Sequence, residues 1–286
     1  MVINHKKPDW IRVRAPSGDK WKKVSTIIAQ RGLHTVCDEA HCPNKGECWG
    51  MGTATFMILG DVCTRHCGFC AVATAKTGRA VRNDEADELA LAVQELSLDY
   101  VVLTSVDRDD LPDRGADHFA RCIGAIKEKI NTCKVEALIP DYCGDELLSI
   151  INEAPDTIAH NIETVRPLQE KVRDSRASFD KSLRTLSEVK SACPTILTKS
   201  SLLLGLGEKE DDILSAMDSL RSASVDILVM GQYLQPSQKQ LPVQEYISPD
   251  TFARLKKTAL DKGFAAVVSS PLARTSYLAR HAFENT

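Results

Sequence analysis

The middle of the chain alternates between two hydrophobic rhythms. Short, nearly continuous apolar and β-branched runs recur at residues 54–60, 100–105, 135–140, 157–163, 195–205 and 225–235. Continuity, in place of strict alternation, marks parallel strands buried on both faces. Between the runs lie segments with the 3.6-residue period of amphipathic helices. In residues 84–98 the stripe is Ala86, Leu89, Ala90, Val93 and Leu96; in residues 116–130 it is Phe119, Cys122, Ile123, Ile126 and Ile130. Asp84 and Glu85 fall in the first turn of the former, where the helix dipole favours carboxylates. Ser248-Pro249 reads as an N-cap and first helical position, and Gly263 as the stop after Leu260.

Strand alternating with helix predicts βα units joined by right-handed crossovers. Six such units fall short of the eight that close a full barrel. The expected fold is therefore α/β, an open, partial (βα)6 TIM-like barrel. A seventh apolar run, residues 264–268, lies outside that count. Residues 1–52 do not follow the rhythm and read as a loop-rich extension, with Pro43 and Gly46 inside it. The expected organisation is an N-terminal extension over 1–52, a barrel over 53–245 and a C-terminal extension over 246–286.

Composition narrows the function class. Hydrophobic residues are 43% and charged residues 26% of the 286, ordinary for a soluble globular protein. A net charge of −3 gives no reason to expect nucleic acid or a membrane surface as partner. No apolar run is long enough to span a bilayer, and the opening Met-Val-Ile-Asn-His-Lys-Lys-Pro lacks the apolar stretch of a signal peptide. The expected location is the cytoplasm. Thiols stay reduced there, and cysteines serve more often as metal ligands or catalytic groups than as disulfides.

Six of the ten cysteines fall in two triplets. Cys63, Cys67 and Cys70 have the spacing C-x3-C-x2-C, just after the first predicted strand, where α/β barrels carry their functional loops. Cys37, Cys42 and Cys48 form C-x4-C-x5-C upstream. Three thiolates can hold an iron–sulfur cluster and leave one iron open to another donor. On spacing alone, a zinc site completed by His66 or His41 is the alternative. Cys122 lies on a core stripe and reads as a small hydrophobe. Cys133, Cys143 and Cys193 have no metal spacing.

The C-x3-C-x2-C loop after a first strand resembles the radical S-adenosylmethionine (SAM) superfamily. Thr35-Val-Cys-Asp-Glu-Ala-His-Cys-Pro-Asn-Lys-Gly-Glu-Cys-Trp49 is similar, more narrowly, to the auxiliary-cluster motif of lipoyl synthases. Ala54-Thr-Phe-Met-Ile-Leu-Gly-Asp61, Thr104-Ser-Val-Asp-Arg-Asp-Asp-Leu111, His160-Asn-Ile-Glu-Thr-Val165, Gly231-Gln-Tyr-Leu-Gln-Pro236 and Arg274-Thr-Ser-Tyr277 match that family in order. The resemblance spans roughly Lys7 to Ala279. It departs at Lys45, where the family usually has an apolar residue, at Arg114 (glycine), at Ala86 (proline) and in Arg274-Thr-Ser-Tyr-Leu278, more often Arg-Ser-Ser-Tyr-His.

The resemblance implies two 4Fe–4S clusters. One is held by Cys63, Cys67 and Cys70, with SAM chelating its open iron. One electron then cleaves SAM to methionine and a 5′-deoxyadenosyl radical. Phe69 takes the aromatic position before the last cysteine, with its backbone near the adenine. The other cluster is held by Cys37, Cys42 and Cys48, with Ser276 as fourth ligand. Oxygen is a harder donor than thiolate and leaves readily on protonation, which suits a cluster that is dismantled. Arg274 either neutralises charge near that cluster or serves as an ordinary cap or ion-pair partner.

The implied reaction puts sulfur at carbons 6 and 8 of an octanoyl chain on a lysine of a lipoyl carrier domain. Two SAM molecules are consumed, and the auxiliary cluster is the sulfur donor. An unactivated methylene has no acidic proton, so cofactor-borne radical chemistry must replace acid–base catalysis. Implied partners are the octanoylated carrier, an electron-donor protein and an iron–sulfur assembly or carrier protein. Two rivals stand beside this reading: radical insertion of sulfur into a free small molecule, and a non-catalytic iron–sulfur or zinc scaffold.

Weaker signals complete the candidate set. Asn161 and Glu163 end a predicted strand and have the chemistry to bind ribose hydroxyls. Thr104, Ser105 and Asp107 end another and suit the methionine amino or carboxylate group, with which Arg176 can also pair. Gly205-Leu-Gly207 fits either a close approach by SAM or a plain turn. Lys20, Lys22 and Lys23, with Arg12 and Arg14, form either a docking face for an acidic carrier or a solvated surface.

Overall fold

The apolar runs fold as strands and the 3.6-period segments as helices in the computed structural model, which describes residues 7–13, 15 and 17–286. The long strands are β1 (Thr55–Ile58), β2 (Tyr100–Ser105), β3 (Lys134–Leu138), β4 (Thr157–Ala159), β5 (Leu197–Leu204), β6 (Ile227–Gln232) and β7 (Ala266–Ser270). The chain divides into two compact units. One holds the described residues of 13–65 together with 71–158; the other holds 7–12, 66–70 and 159–286.

In the first unit β2 pairs in parallel with β1 (Thr55 opposite Val102) and with β3 (Tyr100 opposite Lys134). A two-residue strand, His34–Thr35, adds antiparallel to β1. Every residue of β1 is buried, which is why its sequence shows no alternation. The helices Glu85–Glu95 and Ala116–Lys129 bury Leu89, Ala90 and Val93, and Phe119, Cys122, Ile123 and Ile126, from the predicted stripes.

Glu85 stands in the first turn of Glu85–Glu95, as expected, and has further partners. It is buried, and its Oε2 accepts the Leu59 N–H at 2.9 Å and lies 2.6 Å from His118 Nε2. Arg121 approaches His118 Nδ1 at 2.9 Å. Arginine can only donate, so Nε2 carries the imidazole proton toward Glu85. The N-terminal extension is more ordered than a loop-rich reading allows. Asp19–Gln30 is a helix with Val24, Ile27 and Ile28 inward, and short helices cover Val36–Glu39 and Lys45–Met51. The lysines at 20, 22 and 23 mask this short stripe in the sequence. Lys20 and Lys22 are exposed, Lys23 Nζ donates to the Glu95 carbonyl at 2.7 Å, and Arg14 lies outside the described residues.

In the second unit β5, β6 and β7 form a parallel ladder, with Lys199 opposite Ile227 and Ile227 opposite Ala266. The seventh apolar run is thus itself a strand of the sheet. Its core gathers Ile162, Leu186, Leu202, Leu204, Met217 and Met230. Helix Pro249–Asp261 is capped as the sequence predicts: Ser248 Oγ accepts the Thr251 N–H at 3.2 Å, and Gly263 follows at φ 92°. The run expected to be strand through residue 163 leaves the ladder at Ala159 and returns only as a single bridge between Glu163 and Leu202. Glu163 itself sits at φ 62°. Among the described residues, no helix is long and apolar enough to cross a membrane.

Candidate metal centres and cofactor site

The upstream cysteines are brought together by three short elements of the first unit. Thr35 caps the turn Val36–Glu39, its Oγ1 accepting the Asp38 N–H at 3.2 Å, and so sets Cys37 one residue into that turn. The Cys42 N–H donates to the Cys37 carbonyl at 3.1 Å, and the Cys48 N–H to the Asn44 carbonyl at 2.9 Å. Cys37 is buried, and Cys42 and Cys48 are half-buried. Burial, and then the neighbouring Cys42, push the Cys37 thiol up to about 11. Burial, then Cys37 and Cys42, push Cys48 up to about 12. The three sulfurs therefore feel one another's charge.

Three such thiols are an unfavourable set to ionise alone and a suitable one for a cationic iron centre, so the donors fit an iron–sulfur cluster. The Trp49 indole lies at Cys37 and works to lower its pKa. Trp21 stacks against Trp49 at a centroid distance of 5.7 Å. Lys45, the departure from the family pattern, lies 4.2 Å over the Trp49 ring and pairs with Asp38.

Cys63 lies on the short strand Val62–Cys63, which pairs with Ala73–Thr74. The segment following β2 is stitched to it. The Thr64 N–H donates to the Asp107 carbonyl at 2.9 Å, and Thr64 Oγ1 to Asp109 Oδ2 at 2.9 Å. Cys63 Sγ accepts the Arg65 N–H at 3.4 Å and lies 3.8 Å from Asp107 Oδ2. The Arg65 guanidinium is buried among three carboxylates: Asp109 at 2.9 Å, Asp141 at 2.8 Å and Asp107 at 3.4 Å. Asp141 also receives Arg114 at 2.8 Å. Thr104 is buried at the end of β2. Ser105 Oγ is buried without a hydrogen-bond partner among the described residues. An unpaired buried hydroxyl costs about 1–3 kcal/mol, a cost that a polar ligand group would relieve.

Cys67 and Cys70 belong to the second unit. The Asp174 N–H donates to Cys67 Sγ at 3.4 Å. Asp174 Oδ2 in turn accepts the His66 N–H at 2.7 Å. The Gly68 N–H donates to the Val172 carbonyl and the Gly68 carbonyl accepts from Leu241, both at 2.9 Å. Phe69 packs with Val172, Leu206 and Tyr233. The Cys70 carbonyl accepts from Gln240 Nε2 at 3.2 Å, and the Tyr233 phenol is raised by burial and then by Cys70. Arg176 is not held out toward a ligand. Its Nε and Nη2 clasp Asp174 at 2.8 and 3.0 Å, and this pairing holds the Asp174 carboxyl well below the usual range. Arg176 thus buttresses the Cys67 loop.

Asn161 Nδ2 donates to Glu163 Oε1 at 3.0 Å. The Glu163 carboxyl is raised by burial, an effect that Arg173 and Asn161 partly offset. Beyond β7 the chain turns back across β6. The Gln232 N–H donates to the Pro271 carbonyl at 3.2 Å, and a Cβ on Gly231 would stand only 2.0 Å from the Ala273 carbonyl oxygen. Only glycine permits this approach. Arg274 Nη1 donates to the Ala273 carbonyl at 2.6 Å, and Ser276 follows, half-buried. Gly205 and Gly207, at φ 98° and 108°, form a turn that closes on its own chain, since a Cβ at 205 would lie 2.2 Å from Gln232 Nε2.

The structure therefore gathers these groups around predicted residues: Cys37 with Cys42 and Cys48, Cys63 with Asp107, Cys67 with Asp174 and Arg176, Cys70 with Tyr233, and Asn161 with Glu163. Sequence reasoning missed Arg65, Asp109, Asp141, Asp174 and Trp49. Three of them had a signal: Arg65 stands between two ligand cysteines, and Asp109 and Trp49 lie in motifs that match the family.

Residues 57–220 match the model of the radical SAM superfamily. Methylornithine synthase (PylB) superposes at a TM-score of 0.56 and 14% identity, over 86% of this chain and 71% of that one. The FeFe-hydrogenase maturase HydG from Carboxydothermus hydrogenoformans does so at 0.59 and 14%, over 80% and 56%. At such identities the likeness establishes the α/β fold, with its partial barrel. Fold and matched segment together define the class, a radical SAM enzyme.

The lipoyl synthase of Anaeromyxobacter dehalogenans (strain 2CP-C) is 51% identical over 283 residues, 98% of this chain and 96% of the relative. That of Thermus thermophilus is 48% identical over 283 residues, 98% and 88% respectively. The chain belongs to the lipoyl synthase family. It is a sulfur-inserting enzyme that depends on iron–sulfur chemistry and SAM.

Proposed function

We propose that this enzyme inserts two sulfur atoms, at carbons 6 and 8, into an octanoyl chain borne on a lysine of a carrier protein. The observation that carries the reading is the second set of three mutually interacting thiols, Cys37, Cys42 and Cys48, in a chain that also has the radical SAM loop. Two 4Fe–4S clusters then have separate holders: Cys63, Cys67 and Cys70 for one, and Cys37, Cys42, Cys48 and Ser276 for the other. When bound, these clusters and SAM supply the one-electron chemistry that an unactivated methylene demands, together with the sulfur.

The protein's own contribution is positioning and charge. N–H donors from Arg65 and Asp174 reach the Cys63 and Cys67 sulfurs and orient them. The Arg65 guanidinium pairs with Asp107, the carboxylate that stands beside Cys63. Ser105, Thr104 and Asp107 are proposed to face the methionine end of SAM, Asn161 and Glu163 its ribose, and Phe69 its adenine. Arg274 supplies positive charge next to Ser276.

The reading further requires an electron-donor protein, an iron–sulfur carrier to restore the sulfur donor, and a reducing compartment, the cytoplasm. The test is anaerobic incubation of the reconstituted chain with SAM, dithionite and an octanoyl-lysyl peptide, read by mass. Peptide gaining two sulfurs, with about two 5′-deoxyadenosines per product, is expected. Efficient reaction of free octanoate with none of the peptide would favour a small-molecule substrate, since the tether normally supplies the proximity.

A further inference from the structure

The segment that carries Ser276 is fixed at its start by β6, through Gln232 and Gly231. Its far side is held differently. Thr275 is buried, and its Oγ1 lies 3.0 Å from Asn161 Nδ2 and 3.2 Å from Asn161 Oδ1. The hydroxyl therefore pairs with the amide whichever end donates. Asn161 is oriented in turn by Glu163, at 3.0 Å, where the backbone is already turned at φ 62°. Ser276 immediately follows Thr275 and makes no side-chain hydrogen bond of its own among the described residues. Its placement is borrowed from its neighbour.

We infer that Thr275 and Asn161 are positioning residues for Ser276: a hydroxyl–amide latch that holds the serine where it serves as ligand. The inference rests on the proposed ligation by Ser276. Breaking one latch between largely buried groups forfeits a hydrogen bond, and with it the bias toward the ligating position. A typical intramolecular hydrogen bond corresponds to a factor of about five in such an equilibrium. The Glu163–Asn161–Thr275 chain also gives the latch a direction, from the end of the β4 segment to the C-terminal return.

The test uses the full chain, anaerobically reconstituted with iron and sulfide and free of SAM. The rate of iron release to a ferrous chelator is followed. The phase missing from Cys42→Ala identifies the upstream cluster. Thr275→Val, nearly isosteric, should speed that phase about fivefold. Thr275→Ser should restore the natural rate, and Asn161→Leu should reproduce the Thr275→Val rate. In a Ser276→Ala background, Thr275→Val should add nothing, because the latch acts only through the serine. Circular dichroism melts confirm that each variant is folded. A natural rate for Thr275→Val beside a fast Ser276→Ala overturns the latch. So does an equal effect of Thr275→Val with and without Ser276. A natural rate for Ser276→Ala strikes at the ligand assignment itself, and so is told apart from failure of the latch.

Discussion

Gly231 stands opposite Ser270 in the β6–β7 ladder, where the returning chain crosses it. A methyl group there would meet the Ala273 carbonyl oxygen at 2.0 Å, its carbon at 2.9 Å and an Arg274 guanidinium nitrogen at 3.0 Å. The arginine tip can swing aside. The carbonyl is backbone, and since ordinary contact begins at 3.4 Å it must retreat by about 1.4 Å. Overpacking of this kind costs about 1–3 kcal/mol, while replacing glycine returns up to ~1 kcal/mol of chain entropy. Gly231→Ala should therefore lose about 1–2 kcal/mol net. At about 2–4 °C per kcal/mol for a chain of this size, the melting temperature of the cofactor-free protein should fall by about 2–8 °C. Because the displaced segment leads into Ser276, the reconstituted variant should also release iron from the upstream cluster faster. The measurements are a circular dichroism melt and chelator-monitored iron release. A variant that melts no lower than the natural chain and holds its iron as long would refute the close-approach argument.

Other perturbations separate the remaining parts. Cys67→Ala should abolish 5′-deoxyadenosine formation, whereas Cys42→Ala should keep it, yield no doubly sulfurated peptide and carry about half the iron; a Cys42→Ala protein that still makes product would sink the donor assignment. Asp141→Ala deprives Arg65 and Arg114 of a shared buried partner, and losing one side of a buried ion network costs about 3–5 kcal/mol, so the urea midpoint should drop steeply while m is unchanged. The Glu163 carboxyl is raised in the folded chain, chiefly by burial, so the native state keeps its proton to higher pH than the unfolded chain, whose glutamates titrate near ~4.3. Stability falls as pH rises from there through the folded value, and the cost persists at neutrality. Glu163→Gln should accordingly melt higher than the natural cofactor-free chain at pH 7, with a flatter pH dependence above about pH 4; an equal or lower melt at pH 7 would argue against a desolvated carboxylate.

Legibility in the sequence followed the range of the interaction. The strands announced themselves because burial on both faces leaves unbroken Val, Ile and Leu, as in Tyr100–Ser105. The Ser248-Pro249 start was readable because a cap is decided within four residues. Cysteine spacing exposed both triplets, since each pattern is complete within about a dozen residues of sequence. Asp174 and Asp141 were invisible for the opposite reason. Asp174 meets Cys67 across 107 positions, and Asp141 meets Arg65 across 76. No local pattern encodes such encounters. The first-turn place of Glu85 was legible for the same local reason, while its further partner, His118, lies 33 positions on and left no local trace. The helix Asp19–Gln30 was hidden by lysines flanking a stripe of only three buried residues.

Arg114 shows how a side chain can hold a turn that glycine would make more easily. Its φ is 51°, the left-handed region where a side chain is at a disadvantage and glycine is the easier residue. Here the side chain spans to Glu146 and to both the carboxylate and the carbonyl of Asp141, and Tyr142 returns a bond to the Arg114 carbonyl. The turn that glycine makes by freedom is made here by anchorage. Two residue choices can thus serve one turn, and they differ in what they ask of their neighbours. A glycine at this position would make no demand on its neighbours, whereas the arginine ties Asp141, Tyr142 and Glu146 into one bonded group, so that a change at one is felt at the others.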